Sequence, residues 1–144
     1  MSENDSVKLL RECDSGVKMG VSAINDVLGS VGSERFRQCL TDCRNQHEIL
    51  QSEIAKSLAM HGSETKDPPA AARGMSAMKT SVRLAVNDSD GTIADLITDG
   101  CNTGVKSLHR YLNQYSRADA ESKGICVRLI GLEDNLAKDI RIYL

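Results

Sequence analysis

Residues 9–18 read Leu-Leu-Arg-Glu-Cys-Asp-Ser-Gly-Val-Lys, and residues 97–106 read Ile-Thr-Asp-Gly-Cys-Asn-Thr-Gly-Val-Lys. The two stretches share Cys, Gly, Val and Lys at the same spacing, 88 residues apart, and they exchange Asp for Asn and Ser for Thr. Matches continue beyond these stretches. Asn25 and Asn113 keep the spacing of 88 residues. After a one-residue gap, two further pairs match at a spacing of 87: Glu34 and Glu121, Cys39 and Cys126. This spacing indicates one helical hairpin that occurs twice in the chain.

The composition favours an all-α protein. Of the 144 residues, 40% are hydrophobic but only 3% are aromatic, with no Trp and one Phe. A core built from Leu, Ile, Val, Ala, Met and Cys suits close helix packing, and no segment shows the period-two alternation of a strand. The length predicts a single domain over residues 1–144.

Charge and hydropathy exclude several classes of function. A net charge of −2 without a Lys/Arg cluster argues against a nucleic-acid partner. No apolar run approaches the roughly 20 residues of a membrane span, so we expect no membrane partner. The first six residues are polar and acidic, unlike a signal or transit peptide. Five cysteines in such a chain predict reduced thiols and a cytoplasmic location.

Apolar spacing predicts the first hairpin over residues 5–61. Its first helix covers 5–28, with Asp5 or Ser6 as cap, and its second covers 34–61, with Ser33 as cap. The second helix has a regular seam with a 4-3-4-3 spacing, formed by Phe36, Leu40, Cys43, His47, Leu50, Ile54 and Leu58. Gly62 lies where this helix is expected to stop.

A long connection over residues 62–92 separates the hairpins. The tandem prolines predict a loop over 63–69, and apolar spacing predicts a crossover helix over 70–86 that carries Met75 and Met78. Such a connection runs back along the bundle.

The second hairpin is predicted over residues 93–144. Its first helix covers 93–115, with Thr92 as cap, and its second runs from 120 to the C-terminus, with Asp119 as cap. Two repeated hairpins joined by a long crossover with a fifth helix predict a ferritin-like four-helix bundle.

These stretches resemble a bacterial ferritin-like four-helix-bundle family of unknown function that includes stress-associated members. The family's first and third helices carry Cys-x-x-Gly followed closely by Glu, which residues 9–18 and 97–106 match except for the Glu. Its crossover motif, His-Arg-Gly-Trp-x-x-Leu-Lys, is similar to residues 72–79, and its Leu-Gly-Gly-Glu-Pro is similar to residues 60–64. The resemblance covers residues 7–142 and implies a ferritin-like fold.

The metal-ligand positions that the resemblance implies are degenerate in this chain. A ferritin-like dimetal site takes a Glu from each of two helices and Glu-x-x-His from each of the other two. Four of these six positions hold residues that do not suit the site: Val17, Val105, Arg44 and Leu136. We therefore expect no cofactor and no enzymatic activity.

Three residues are candidates for a non-standard metal site. Cys43 and His47 lie four residues apart on one seam, and Glu133 lies near the position that the repeat relates to Gln46. Together they could offer a thiolate, an imidazole and a carboxylate to a soft metal. The alternative, which we expect, is that Cys43 is a small core residue. His47 is then a partly buried imidazole that hydrogen-bonds to Glu133 or to the backbone.

The remaining cysteines and the helical glycines are expected to be structural. We predict buried thiols at the two repeat-related pairs, since free Cys is among the most buried residue types: Cys13 and Cys101, Cys39 and Cys126. We predict close approach of another helix at four glycines: Gly16, Gly20, Gly100 and Gly104.

Two functions stay open at this point. The first is association, with a second copy of the chain or with another protein, through mixed-charge faces and the adaptable Met75 and Met78. The resemblance adds a stress-related role to this function. The alternative is a metal-binding protein that uses Cys43, His47 and Glu133.

Overall fold

The computed structural model describes residues 4–69, 80, 83–85 and 87–144, and within these residues all regular structure is helical. Four long helices form the fold: α1 (Asp5–Leu28), α2 (Glu34–Met60), α3 (Asp90–Gln114) and α4 (Ala120–Asp139). A short 3-10 helix, Arg141–Tyr143, follows α4. The all-α prediction is confirmed, and α1 and α2 have almost the predicted bounds.

Predicted capping residues mark several helix ends. Ser33 caps α2 and Asp119 caps α4, each accepting a hydrogen bond from the amide three residues later. At the other end of α2, Gly62 has a φ of +70°, and the amide of Ser63 donates to the carbonyl of Leu58 at 2.9 Å. This is the Schellman ending that a glycine just beyond a helix predicts.

The predicted caps of α1 and α3 are wrong. Asn4 caps α1 in place of Asp5 or Ser6, and Ser89 caps α3 in place of Thr92. In both cases the earlier residue has an extended backbone and a side-chain oxygen that reaches an amide of the first turn. As a consequence, α3 begins three residues before the predicted residue 93.

The loop after α2 is held against α1. Residues 63–69 have no regular structure, as the prolines predict. The buried carboxylate of Asp14 accepts a hydrogen bond from the amide of Lys66 at 3.0 Å. Lys18 bridges Asp14 at 2.8 Å and Asp67 at 3.0 Å. The crossover therefore starts from a fixed position on α1.

The predicted crossover helix over 70–86 lies outside the described residues, apart from residues 80 and 83–85, which are helical. The motif at 72–79, with Met75 and Met78, lies wholly outside them.

The two hairpins are joined by similar contacts at the two ends of the bundle. Asp90, the first residue of α3, accepts hydrogen bonds from the amides of Gly32 at 2.8 Å and Ser33 at 3.0 Å. Asp5, the first residue of α1, accepts one from the amide of Arg117 at 3.0 Å. Each hairpin thus holds the turn of the other through a carboxylate, an arrangement consistent with a repeated hairpin.

The prediction that the last helix runs to the C-terminus is wrong, because α4 ends at Asp139. The following turn returns Tyr143 to the bundle, where its ring stacks on Phe36 with centroids 4.3 Å apart. Phe36 is completely buried. A continuous helix would carry Tyr143 past this ring.

The interior consists of two apolar clusters, one above the other along the bundle. The first contains Leu9, Leu10, Ile54, Leu58 and Leu129, among others. The second contains Ile24, Phe36, Leu40, Ile93 and Ile140, among others. Helices α1 and α4 each pack against all three other long helices, and each cluster contains residues from all four long helices.

Candidate functional site

A thin polar layer separates the two apolar clusters, and each long helix contributes one residue to it. These residues are Gly20 of α1, His47 of α2, Gly104 of α3 and Glu133 of α4, each located between its helix's contributions to the two clusters. His47 is 1% exposed and Glu133 is 9% exposed. The layer therefore places an ionisable pair in the interior of the bundle.

Both ring nitrogens of His47 have partners on opposite sides. Nδ1 lies 2.8 Å from the carbonyl oxygen of Cys43, and Nε2 lies 3.1 Å from Oε1 of Glu133. A carbonyl oxygen only accepts, so Nδ1 carries a proton and donates it. One further proton is shared between Nε2 and the carboxylate, which makes the pair neutral as a whole.

Two glycines face this pair, and one of them has no space for a side chain. A Cβ at Gly20 would lie 2.9 Å from Cδ2 and 3.0 Å from Nε2 of His47. A Cβ at Gly104 would lie 3.7 Å from Oε2 of Glu133. The predicted close approach is thus present at Gly20, although the neighbour is a side chain, whereas at Gly104 the distance is that of an ordinary contact. It is absent at Gly100, where a Cβ would meet nothing within 4 Å, and ordinary at Gly16, with Leu129 at 3.8 Å.

Two thiols border the pair from different sides. The Sγ of Cys43 lies 3.5 Å from Nδ1 of His47, on the side of the ring away from Glu133. Cys101 of α3 is 3% exposed, and it lies near enough to Glu133 for the carboxylate charge to raise the pKa of its thiol. Helices α2, α3 and α4 therefore all bring a titratable group to the layer.

The surroundings favour a charged imidazole. Burial by itself lowers the pKa of His47, but the hydrogen bonds to Cys43 and Glu133, and the negative charge of the carboxylate, raise it to about 10. Burial and the charge of Glu133 raise the pKa of the Cys101 thiol. At neutral pH the layer thus holds an imidazolium–carboxylate pair beside a protonated thiol.

The structure brings the three candidate metal ligands, Cys43, His47 and Glu133, into one chain of contacts. Cys43 lies at Nδ1 and Glu133 at Nε2, and these nitrogens point away from each other. One metal ion therefore does not reach Cys43 and Glu133 through the same ring. Both hydrogen bonds of the alternative interpretation, from His47 to Glu133 and to the backbone, are present.

Cys101 belongs to this site, and the sequence interpretation missed it as a partner of Glu133. The signal was in the repeated stretch itself. Cys101 lies three residues before Gly104, so the two share a face of α3, and Gly104 is the glycine against the Glu133 carboxylate.

The other cysteines lie away from the polar layer. Cys13 and Cys126 are fully buried in the first apolar cluster, where their thiols contact each other. Cys39 is only half-buried, so its predicted burial is wrong. Cys39 is only half-buried because it lies next to the buried seam of α2, and Leu40 is the residue of that seam at this level. All five cysteines are free thiols.

A comparison with solved structures establishes the fold. The crystal structure of Dps92 from Deinococcus radiodurans matches with a TM-score of 0.73 over 97% of this chain and 86% of that chain, at 12% sequence identity. At this identity the likeness shows the fold alone, a ferritin-like helical bundle. No protein-family model and no curated protein matches the sequence.

None of the helices in the described part of the chain combines the length and the apolar character needed to cross a bilayer.

Proposed function

We propose that this protein is a non-catalytic ferritin-like bundle that acts by association, with a second copy of itself or with another protein. The observation that supports the proposal is a pair of large apolar side chains exposed on one face of α2. Ile49 is 63% exposed and Met60 is 80% exposed. Eleven residues correspond to about three helical turns, so the two side chains share one outward face, about 16 Å apart.

The surroundings of Ile49 and Met60 suit a protein interface. Glu53, one turn beyond Ile49, forms a two-bond ion pair with Arg128 of α4, at 3.1 and 2.6 Å. Exposed apolar side chains interspersed with charged ones, here Glu53 and Lys56, have the mixed composition of a non-obligate protein interface. We call Ile49 and Met60 the α2 stripe.

Dimetal chemistry of the ferritin-like type does not fit the residues present. Val17, at a position where the family has Glu, is completely buried and packs in the first apolar cluster. Leu136, at a position where the family has His, is 4% exposed and packs in the second. Since apolar side chains fill these positions, a six-ligand dimetal site has no place in the core.

Light scattering coupled to gel filtration tests the proposal. We expect the wild-type protein to be a dimer or larger, and Ile49→Glu with Met60→Glu to convert it to a monomer with unchanged helicity. Val127→Glu is the control, because it places one such charge outside α2, at a side chain of α4 that is 57% exposed. A monomeric wild-type protein would contradict self-association. An oligomer equally weakened by Val127→Glu would contradict the role of the α2 stripe.

A further inference from the structure

The outward face of α2 has opposite charges at equal distances on either side of Ile49. Asp42 lies seven residues before Ile49 and Lys56 lies seven residues after it, and all three side chains are exposed. Because seven residues make about two helical turns, the three side chains share one face, with the two charges about 21 Å apart along the axis. The face is therefore complementary in charge to a reversed copy of itself.

An antiparallel contact with α2 of a second copy brings these opposite charges together. When the two Ile49 side chains meet on a two-fold axis, Asp42 of each copy lies beside Lys56 of the other. On a straight helix a seven-residue spacing drifts by about 20° per repeat. A crossing angle of about 20°, which is common in helical bundles, compensates for this drift. Two ion pairs thus form together with the Ile49 contact.

A parallel contact between the same two faces is unfavourable. In register, it places Asp42 beside Asp42 of the second copy and Lys56 beside Lys56. Like charges that meet across an interface oppose binding. The charges on this face therefore distinguish the two orientations of a second copy, and they favour the antiparallel one.

The rest of this face suits the antiparallel contact. Met60, which is 80% exposed, lies opposite Gln38 of the second copy, because both are eleven residues from Ile49. The charge of Glu53 is balanced by Arg128 within the same copy, at 3.1 and 2.6 Å. Three exposed residues near the axis are polar and uncharged: Asn45, Gln46 and Ser52.

We propose that α2 binds α2 of a second copy of this chain in an antiparallel arrangement, with the two-fold axis at Ile49 and reciprocal ion pairs between Asp42 and Lys56. This inference rests on the proposed association through the α2 stripe, and it specifies the partner and the geometry. Because both copies use the same patch, the contact is isologous and closes as a dimer.

Dissociation constants from sedimentation equilibrium of the full chain, kept reduced and at low salt, test the proposal. Asp42→Lys and Lys56→Asp each turn both ion pairs into like-charge contacts. Each variant should therefore weaken the dimer by about tenfold or more. The double variant, Asp42→Lys with Lys56→Asp, forms both pairs in the reverse sense and should restore the wild-type constant. In about 1 M salt, where the Debye length is about 3 Å, these differences should largely disappear.

A mixture and a matched control complete the test. An equimolar mixture of the two single variants should form a heterodimer that is tighter than either homodimer, since opposite charges then meet at both positions. Asp134→Lys is the control, because it makes the same charge reversal at an exposed residue of α4, on the face that carries Val127. This control should leave the dissociation constant unchanged. Circular dichroism at 222 nm verifies that each variant keeps its helicity.

The outcomes separate this geometry from association in general. A monomeric wild-type protein would overturn both the dimer and self-association. A dimer that Ile49→Glu with Met60→Glu breaks, but that neither single charge reversal weakens, would overturn the antiparallel geometry and leave association through the α2 stripe in place. Single variants that gain no affinity from each other in the mixture, or a double variant as weak as they are, would overturn the geometry as well.

Discussion

The polar layer predicts opposite effects for two glycine-to-alanine changes in the long helices. In a helix interior, Gly→Ala stabilises by about 0.5–1 kcal/mol when the methyl group meets no neighbour. Gly100→Ala meets this condition, because nothing lies within 4 Å of its Cβ position. Gly20→Ala does not, because its Cβ would lie 2.9 Å from Cδ2 of His47.

The His47 ring has little freedom to move away from a methyl group at position 20. Hydrogen bonds hold it at both nitrogens, at 2.8 and 3.1 Å. Overpacking of this kind costs about 1–3 kcal/mol, and displacing the ring weakens a buried hydrogen bond as well. After subtracting the helix-propensity gain, we expect Gly20→Ala to destabilise the protein by about 1–2 kcal/mol.

Urea unfolding followed by circular dichroism at 222 nm, the usual helix signal, measures both free energies of unfolding. The expected result is a higher midpoint for Gly100→Ala and a lower midpoint for Gly20→Ala, with similar slopes. If Gly20→Ala were as stabilising as Gly100→Ala, the ring would be free to move, and the close fit of the layer would be refuted.

Two further predictions concern pH and the end of α2. Because the folded state raises the pKa of His47 to about 10, its ion pair stabilises the protein fully below pH 6.5 and progressively less up to pH 10. We expect a loss of roughly 3–5 kcal/mol across this window in chelator-containing buffer, measured by urea unfolding; an equal loss in Glu133→Gln would contradict it. Gly62→Ala should destabilise by about 1 kcal/mol, because φ is +70° there, whereas Gly29→Ala should not, because φ is −66° and nothing lies within 4 Å. Equal thermal midpoints for the two variants would disprove this assignment of strain.

The sequence predicted both ends of α2 and the start of α4 well, because local contacts define them. Ser33, Gly62 and Asp119 act through their own side chain or backbone and through amides a few residues away, so their roles are visible in the chain. The end of α4 depends instead on the distant ring of Phe36, which draws Tyr143 back to the bundle. No local pattern carries that contact.

The sequence also predicted part of the candidate site, namely that His47 and Glu133 lie next to each other in the core. Helical spacing shows which side of a helix faces the core, and the repeat offset placed Glu133 at the level of Gln46 and hence next to His47. Neither the helical spacing nor the repeat offset shows the direction in which a ring nitrogen of His47 points. That direction separates Cys43 from Glu133.

The polar layer contributes less to the stability of the bundle than apolar residues at its centre would. Gly20 and Gly104 each lower helix stability by about 1 kcal/mol relative to Ala. Burying His47 with Glu133 adds a desolvation penalty that well-packed apolar residues of similar size would avoid. An apolar layer continuous with the two clusters would therefore hold the helices together at least as well. Stability alone therefore does not explain why the centre of this bundle is polar.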